Sequence, residues 1–391
     1  MRRSLLVVLV PVALIVGIYW GGHPDHLPGF ARNTLVADTQ GRLYQEAVDE
    51  IHRDYYKPVD RDQLLDTSIG AAVASLKDPF SHYFSPRNYD DFEADTEGRF
   101  QGVGMTVSQV KQGLRIEQVY DHSPAARGGL RAGDLIVSVN GTPLAGKSSD
   151  QSTNLIKGPA GTSVRLGVKS EGRLRQLTLK RQEVNIPVVE SKLKRYHGAK
   201  IAWVHLAGFT AGAHGEVDTA VRDLLRKGAK GVVFDLRQNG GGLLDEAVQV
   251  ASIFVPDGRI VSTRGRSRPE HVYNATGRSI STKVPVAVLV DGHTASASEI
   301  VTGALQDHKR AVVVGTHTYG KGVFQEIERL SNGGALDITV GEYFTPNGRN
   351  LGGGGVRKGA GITPDIKASD NPKTKPDDAL QAALKAVAAG K

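Results

Sequence analysis

The 391-residue sequence sets 49 Lys and Arg against 41 Asp and Glu, a net charge of +8, and contains 47 Gly, 17 Pro and no Cys, which fits a globular protein of two or three domains. Without cysteine there is no disulfide, thiolate nucleophile, cysteine-bound zinc or iron–sulfur cluster, so covalent chemistry falls to Ser, Thr, Lys or a carboxylate. The excess charge is local: residues 165–200 hold ten basic against three acidic side chains, read as the solvated face of alternating strands, with an anionic membrane surface as second reading and no nucleic-acid partner expected.

At the N-terminus Met1-Arg2-Arg3 precedes an uncharged run from Ser4 to Trp20, which at ~1.5 Å per helical residue falls just short of a bilayer crossing. Residues 1–21 therefore read as a signal peptide or membrane anchor, and the chain is expected in the cell envelope, on the periplasmic side of the inner membrane, anchored or secreted. From Leu35 to Leu76 apolar residues recur at spacings of three and four (Leu43, Ala47, Val48, Ile51; Leu64, Leu65, Ile69, Val73), predicting a helical region over 35–98. Residues 99–183 change to short apolar strands punctuated by glycine, with one helical piece near 150–156. Beyond Val184 strand and helix alternate: 201–205, 213–227, 231–235, 243–254, 286–290, 296–307 and 311–314. That alternation predicts an α/β layer core over 184–375. Gly352 to Gly355 reads as a low-complexity loop, and 376–391 as a short, Ala-rich, weakly amphipathic helix.

The middle domain opens on Phe100-Gln101-Gly102-Val103-Gly104, just before the strand Met105 to Val107, and continues with Ser123-Pro124-Ala125, Gly129-Leu130, Gly133-Asp134-Leu135-Ile136 and Val139-Asn140-Gly141. In this order the segment resembles a PDZ domain of bacterial envelope proteases. The resemblance implies that a substrate's C-terminus adds a strand beside Gly102 to Val107, against the helix near Ser152 to Ile156. The backbone amides of Gly102, Val103 and Gly104 would hold its carboxylate.

In the α/β segment, Val286 to Val290 is followed by Asp291-Gly292-His293 and then by Thr294-Ala295-Ser296-Ala297-Ser298-Glu299. A serine at such a strand-to-helix turn has unpaired N–H groups and a positive helix end beside it, which suits a nucleophile; taken alone, a helix cap explains it as well. A second turn, Asp235-Leu236-Arg237-Gln238-Asn239-Gly240-Gly241-Gly242, can present backbone N–H groups to a neighbouring site. A third element, Gly315 to Gln325, sets Lys321 between two glycines among aromatic and apolar residues. Desolvation there would lower its pKa toward that of a useful base, and Gln325 could orient the amine.

These three elements, with Asp78 to Ser85, the PDZ-like segment and Tyr343-Phe344-Thr345-Pro346-Asn347-Gly348-Arg349, resemble the carboxyl-terminal processing proteases, the S41 family of Ser/Lys peptidases. The resemblance implies an α/β fold: a crotonase/ClpP-like protease core, an inserted β-rich PDZ domain and N-terminal helices. It makes Ser296 the nucleophile, Lys321 the general base and Gln325 its orienting partner, with the amides of Ala297 and Gly241 as oxyanion hole and Glu299 and Asp307 as structural supports. The sequence departs from the family pattern in Asp291, Thr294 and Gly240, where Asn, Ser and Pro are usual. The implied partners are polypeptides with free C-termini, the membrane through the N-terminal segment, an activating adaptor, and a second copy in a homodimer or higher oligomer; no cofactor is called for. Twelve scattered histidines without a His-Glu-x-x-His pattern give metal catalysis no support. The competing readings are a catalytically silent PDZ adaptor and a Ser-His hydrolase using His293 or His317.

Overall fold

The computed structural model describes residues 39–97, 99–170, 172–369 and 377–390, so the signal or anchor segment expected over 1–21 lies outside the described residues. The chain divides into two compact units, 1–77 and 78–391. The described part of the first consists of α1 (Thr39–Asp54) and α2 (Arg61–Ala74). Helix α2 starts where it does because the Asp60 carboxylate accepts from the Asp62 and Gln63 amides, at 2.8 and 3.1 Å, satisfying N–H groups that the first helical turn leaves open.

The second unit opens with β1 (His82–Phe84) and α3 (Pro86–Thr96). Here the structure corrects the helical region expected through residue 98: β1 pairs antiparallel with a strand some 250 residues later, residues 335–337, so residues 82–84 belong to a core sheet.

Next come β2 (Arg99–Gly102), β3 (Met105–Val110), β4 (Gly113–Val119), α4 (Pro124–Arg127), β5 (Leu135–Val139), β6 (Thr142–Pro143), α5 (Ser149–Ile156), β7 (Ser163–Ser170), β8 (Arg173–Lys180) and β9 (Gln182–Asn185). Strand β2 pairs with β9 and closes the segment at its base. The remaining strands form one antiparallel sheet in the order β3-β4-β5-β7-β8, with β6 beside β5. Its core, built from Leu114, Ile116, Ile136, Val139, Leu144, Val164, Leu166 and Val168, is fully buried. Strand β3 is left as an edge, facing α5.

The α/β core follows as β10 (Val189–Tyr196), β11 (Ala199–Leu206), α6 (Ala213–Arg226), β12 (Val232–Asp235), α7 (Leu244–Ser252), β13 (Arg259–Gly265), β14 (Arg268–Asn274), β15 (Val286–Val290), α8 (Ala297–Asp307), β16 (Val312–Gly315), β17 (Val323–Arg329), β18 (Ala335–Phe344), β19 (Ile366–Lys367) and α9 (Asp378–Ala388). Its main sheet runs β10-β11-β12-β15-β16-β19, parallel from β11 onward. Alternate residues serve opposite faces, as the pleat dictates. Val204, Phe234, Val288 and Val313 pack in one cluster with α6, α7 and α8, while Ile201, Val233, Leu289 and Val314 pack with α9. The C-terminal helix is thus a full layer of the core, with Leu380, Leu384 and Val387 buried, each contributing roughly 1.5–3 kcal/mol of burial. A second sheet, β1-β18-β13-β14 with β17 on β18, arises from segments whose sequence shows no clean alternation.

Candidate functional site

The loops after β12, β15 and β16 converge at the carboxyl ends of these parallel strands, where open α/β sheets form their binding crevices. The loop after β15 carries Ser296 at φ 56° and ψ −119°, a backbone conformation that costs a non-glycine residue about 1–3 kcal/mol and persists only where surroundings impose it. Two neighbours impose it here. Asp291 accepts from His293 N and Thr294 N at 2.9 and 3.0 Å, and Thr294 Oγ1 donates to Leu236 O at 2.9 Å, tying this loop to the one after β12. Helix α8, buried from Ala297 to Leu305, then begins. Ser296 and Glu299 stand in a capping-box arrangement at the start of this helix, in which Glu299 accepts from Ser296 N at 2.9 Å.

Glu299 joins the site together. Its Oε2 accepts from Ser296 N and from Lys321 N at 2.9 and 3.0 Å, and its Oε1 accepts from Gly320 N at 2.8 Å and Thr318 Oγ1 at 2.5 Å. The side chain has no exposed surface; burial pushes its pKa up while the four donors pull it down, with a net upward shift. Four donors on two oxygens saturate an ionised carboxylate and leave no place for a proton. The sequence expectation treated Glu299 as structural, although the Ser-x-x-Glu spacing of a capping box was a signal that Ser296 and Glu299 act together.

Lys321 is half-buried, and burial lowers its pKa against the opposing charges of Asp337, Asp78 and Glu299. Its Nζ donates to Gln325 Oε1 at 2.8 Å and lies 4.6 Å from the centroid of the Phe80 ring. The Gln325 amide is oriented by its Nε2 donating to Thr339 Oγ1 at 2.8 Å. Phe80 is held by Asp78, which accepts from Phe80 N and Ser81 Oγ; the Asp78 to Ser81 phrase therefore builds part of the base's surroundings. No hydrogen bond joins Lys321 Nζ to Ser296 Oγ in this conformation. His293 and His317 are exposed, and neither bonds to Ser296 among the described residues.

The glycine run is not a loose loop. Gly322 N donates to Gly355 O at 3.0 Å, Arg357 N to Gly320 O at 3.1 Å and Gly359 N to Tyr319 O at 2.7 Å, and Lys321 bridges Val356. Residues 350–362 thus wrap the lysine loop, correcting the low-complexity reading of Gly352 to Gly355. Asp307, on the last turn of α8, accepts from Asn347 N at 2.9 Å and pairs with Arg349, which anchors residues 347–349 to the far end of that helix.

Of the two expected oxyanion donors, Ala297 N, at the first position of α8, has no hydrogen-bond partner among the described residues. Gly241 stands against it: a Cβ there would lie 2.8 Å from Ser296 Cβ and 3.0 Å from Ala297 N. Its N–H, however, donates to Asn239 Oδ1 at 2.9 Å. This corrects the expectation of a free amide, and the reason is local: the fully buried Asn239 spends its Nδ2 on Leu206 O at 2.8 Å, so its Oδ1 takes the donor nearest in the turn.

Between β3 and α5 lies a groove of about 350 Å³ lined by Val103, Met105, Val107, Tyr120, Thr153 and Ile156 among others. Gly102, Val103 and Gly104 are buried at its end; Val103 O and Gly104 O are engaged by Ala125 N and Tyr120 N, while the amides of Val103 and Gly104 have no partner among the described residues. Gly104 has φ 78°, and a Cβ would strike Ser123 Cβ at 2.3 Å, so no other residue fits.

Residues 200–368 match the model of peptidase family S41, and residues 115–170 match a PDZ domain. The carboxy-terminal-processing protease of Bartonella bacilliformis is 34% identical over 330 residues, 83% of this chain and 74% of that protein. A probable CtpA-like serine protease of Staphylococcus haemolyticus is 33% identical over 319 residues, and the chain spans only 62% of its length. Among solved structures, the photosystem II D1 C-terminal processing protease superposes with a TM-score of 0.51 at 29% identity, covering 90% of this chain and 97% of the other.

Proposed function

Because the chain belongs to peptidase family S41, with the carboxy-terminal-processing serine proteases and their PDZ domain, we propose that it cleaves polypeptides through an acyl-enzyme on Ser296 with Lys321 as general base. The observation that carries this reading is the single Glu299 oxygen that accepts both the Ser296 and Lys321 amides, since it draws serine and lysine from separate loops into one place. In the first step Lys321 Nζ takes the Ser296 proton as Oγ bonds to the scissile carbonyl carbon and the carbonyl π pair moves to oxygen. Ala297 N–H receives that oxyanion, and Gly241 N–H joins it after exchanging Asn239 Oδ1 for the substrate. Gln325 can keep one hydrogen of the neutral amine while the lone pair turns to Ser296, a turn the resting conformation has yet to make. Protonated Lys321 then gives its proton to the leaving amine, and water repeats the sequence in reverse.

The groove beside β3 supports recognition of a substrate's C-terminus. An edge strand offers backbone pairing, the apolar lining favours apolar terminal side chains, and the open amides at residues 103–104 suit a carboxylate. The Arg2-Arg3 pair and uncharged run to Trp20 support action in the cell envelope. Turnover of a disordered reporter by Ser296→Ala and Lys321→Ala tests the dyad: both are expected to be inactive while folded. Full turnover by either overturns it, and equal loss in His317→Ala would revive a histidine base.

A further inference from the structure

One buried polar group near the site is unexplained by the reaction as written. Tyr343, on β18, is 1% exposed, and its hydroxyl has no hydrogen-bond partner. A buried hydroxyl left unpaired costs about 1–3 kcal/mol, and native structures hold few such groups. The backbone fixes where this one sits. Tyr343 N donates to Gly322 O at 3.1 Å, directly beside Lys321, and the β17–β18 pairing sets Val323 opposite Glu342. The side chain belongs to the same buried cluster as Ala297 and Ile300 of α8.

Burial pushes the phenol well above its ordinary pKa and the Glu299 charge adds to this, while the Ser296 side chain opposes both. Ser296 is the one side chain that acts on the phenol as a hydrogen-bonding group, yet the two stop short of a formed bond. The phenol therefore keeps its proton and has it to donate.

We propose that Tyr343 is a positioning residue for the nucleophile: its hydroxyl donates to Ser296 Oγ when the serine turns to its reactive rotamer, and so aims the Ser296 proton at Lys321. This rests on the reading of Ser296 as nucleophile. Oγ then has one donor, Tyr343, and one acceptor for its own proton, Lys321 Nζ. The tyrosine keeps its proton throughout, because the proton lost from Ser296 goes to the lysine as the Oγ–carbon bond forms. When the acyl-enzyme breaks down, the same donor meets Oγ as it leaves. The unpaired hydroxyl of the resting conformation is the counterpart of the Lys321 amine resting on Gln325: both wait for the serine.

The test uses Tyr343→Phe in the full chain, with Thr345→Val as its control. Thr345, two residues on, also has a buried, unpaired hydroxyl, and its methyl packs toward Gly303 rather than Ser296. Tyr343→Phe is expected to melt no lower than the parent, to leave KM unchanged, and to lower both kcat and the rate of Ser296 labelling by a fluorophosphonate about tenfold, the scale of one neutral hydrogen bond. Thr345→Val should change neither rate. Unaltered kcat and labelling in Tyr343→Phe would overturn the proposal, as would equal losses in both variants, which mark a packing effect. Should Tyr343→Phe fail to fold, Tyr343→Trp and a fluorinated tyrosine at 343 replace it, and rates indifferent to the acidity of the fluorinated phenol reject the role. The parent reading fails separately, if Ser296→Ala still turns over substrate.

Discussion

At the scale of single residues the site depends on how three charges act on one amine. Lys321 can accept a proton only when neutral, so activity should rise with pH through its pKa, which burial has lowered. Asp337, Asp78 and Glu299 work in the opposite sense by favouring the ammonium. Asp337→Asn removes one of these charges without touching Ser296. The acid limb of the pH–kcat/KM profile is therefore expected to move to lower pH; an unmoved limb, or one shifted upward, would show that another group sets it. The family resemblance singled out Ser296, Lys321 and Gln325, and the Lys321–Gln325 bond it implied is formed, but the side chains around them were less legible. Phe80 and Thr339 reach the site from distant positions, and nothing local to them shows what they will touch. Gly241 was legible as a turn, whereas the use of its amide depends on the Asn239 side chain, which only folding orients.

At the scale of elements, the parallel core was legible because its strands are short apolar runs alternating with amphipathic helices, and the bounds 201–205, 231–235 and 286–290 fall within two residues of those of β11, β12 and β15. The second sheet was not. Strands β17 and β18 mix polar and apolar residues with little alternation, since most of their side chains are half-exposed. The wrap over residues 350–362 was hidden too, because glycines that exist to permit close approach look like glycines of a loose loop. Gly322 separates the two cases experimentally. A Cβ there would lie 2.5 Å from Asn350 Oδ1 and from Gly352 N and 2.9 Å from Gly355 O, two of these being backbone atoms. Gly322→Ala is expected to lower thermal stability and abolish most turnover by displacing the lysine loop. Gly215→Ala, where the new methyl meets nothing within 4 Å on α6, should instead stabilise by roughly 0.5–1 kcal/mol. Equal behaviour of the two in a thermal melt would contradict the wrap.

At the scale of the molecule, a PDZ sheet with a free edge strand is inserted into the S41 peptidase core at β2 and β9, so the proposed recognition and the proposed chemistry fall to separate parts of one chain. If the groove beside β3 reads a terminal carboxylate, amidating the reporter's C-terminus should raise KM severalfold and leave fluorophosphonate labelling of the serine unchanged; an unchanged KM would mean the groove reads something else. The central claim concerns the bond made in the core, and it is tested most directly by quenching the reaction with an activated peptide ester and locating the acyl group by peptide mass mapping. A single acyl adduct on Ser296, formed rapidly in the parent and far more slowly in Lys321→Ala, is the predicted result. An adduct on another residue, or equally fast acylation without the lysine, would contradict the account.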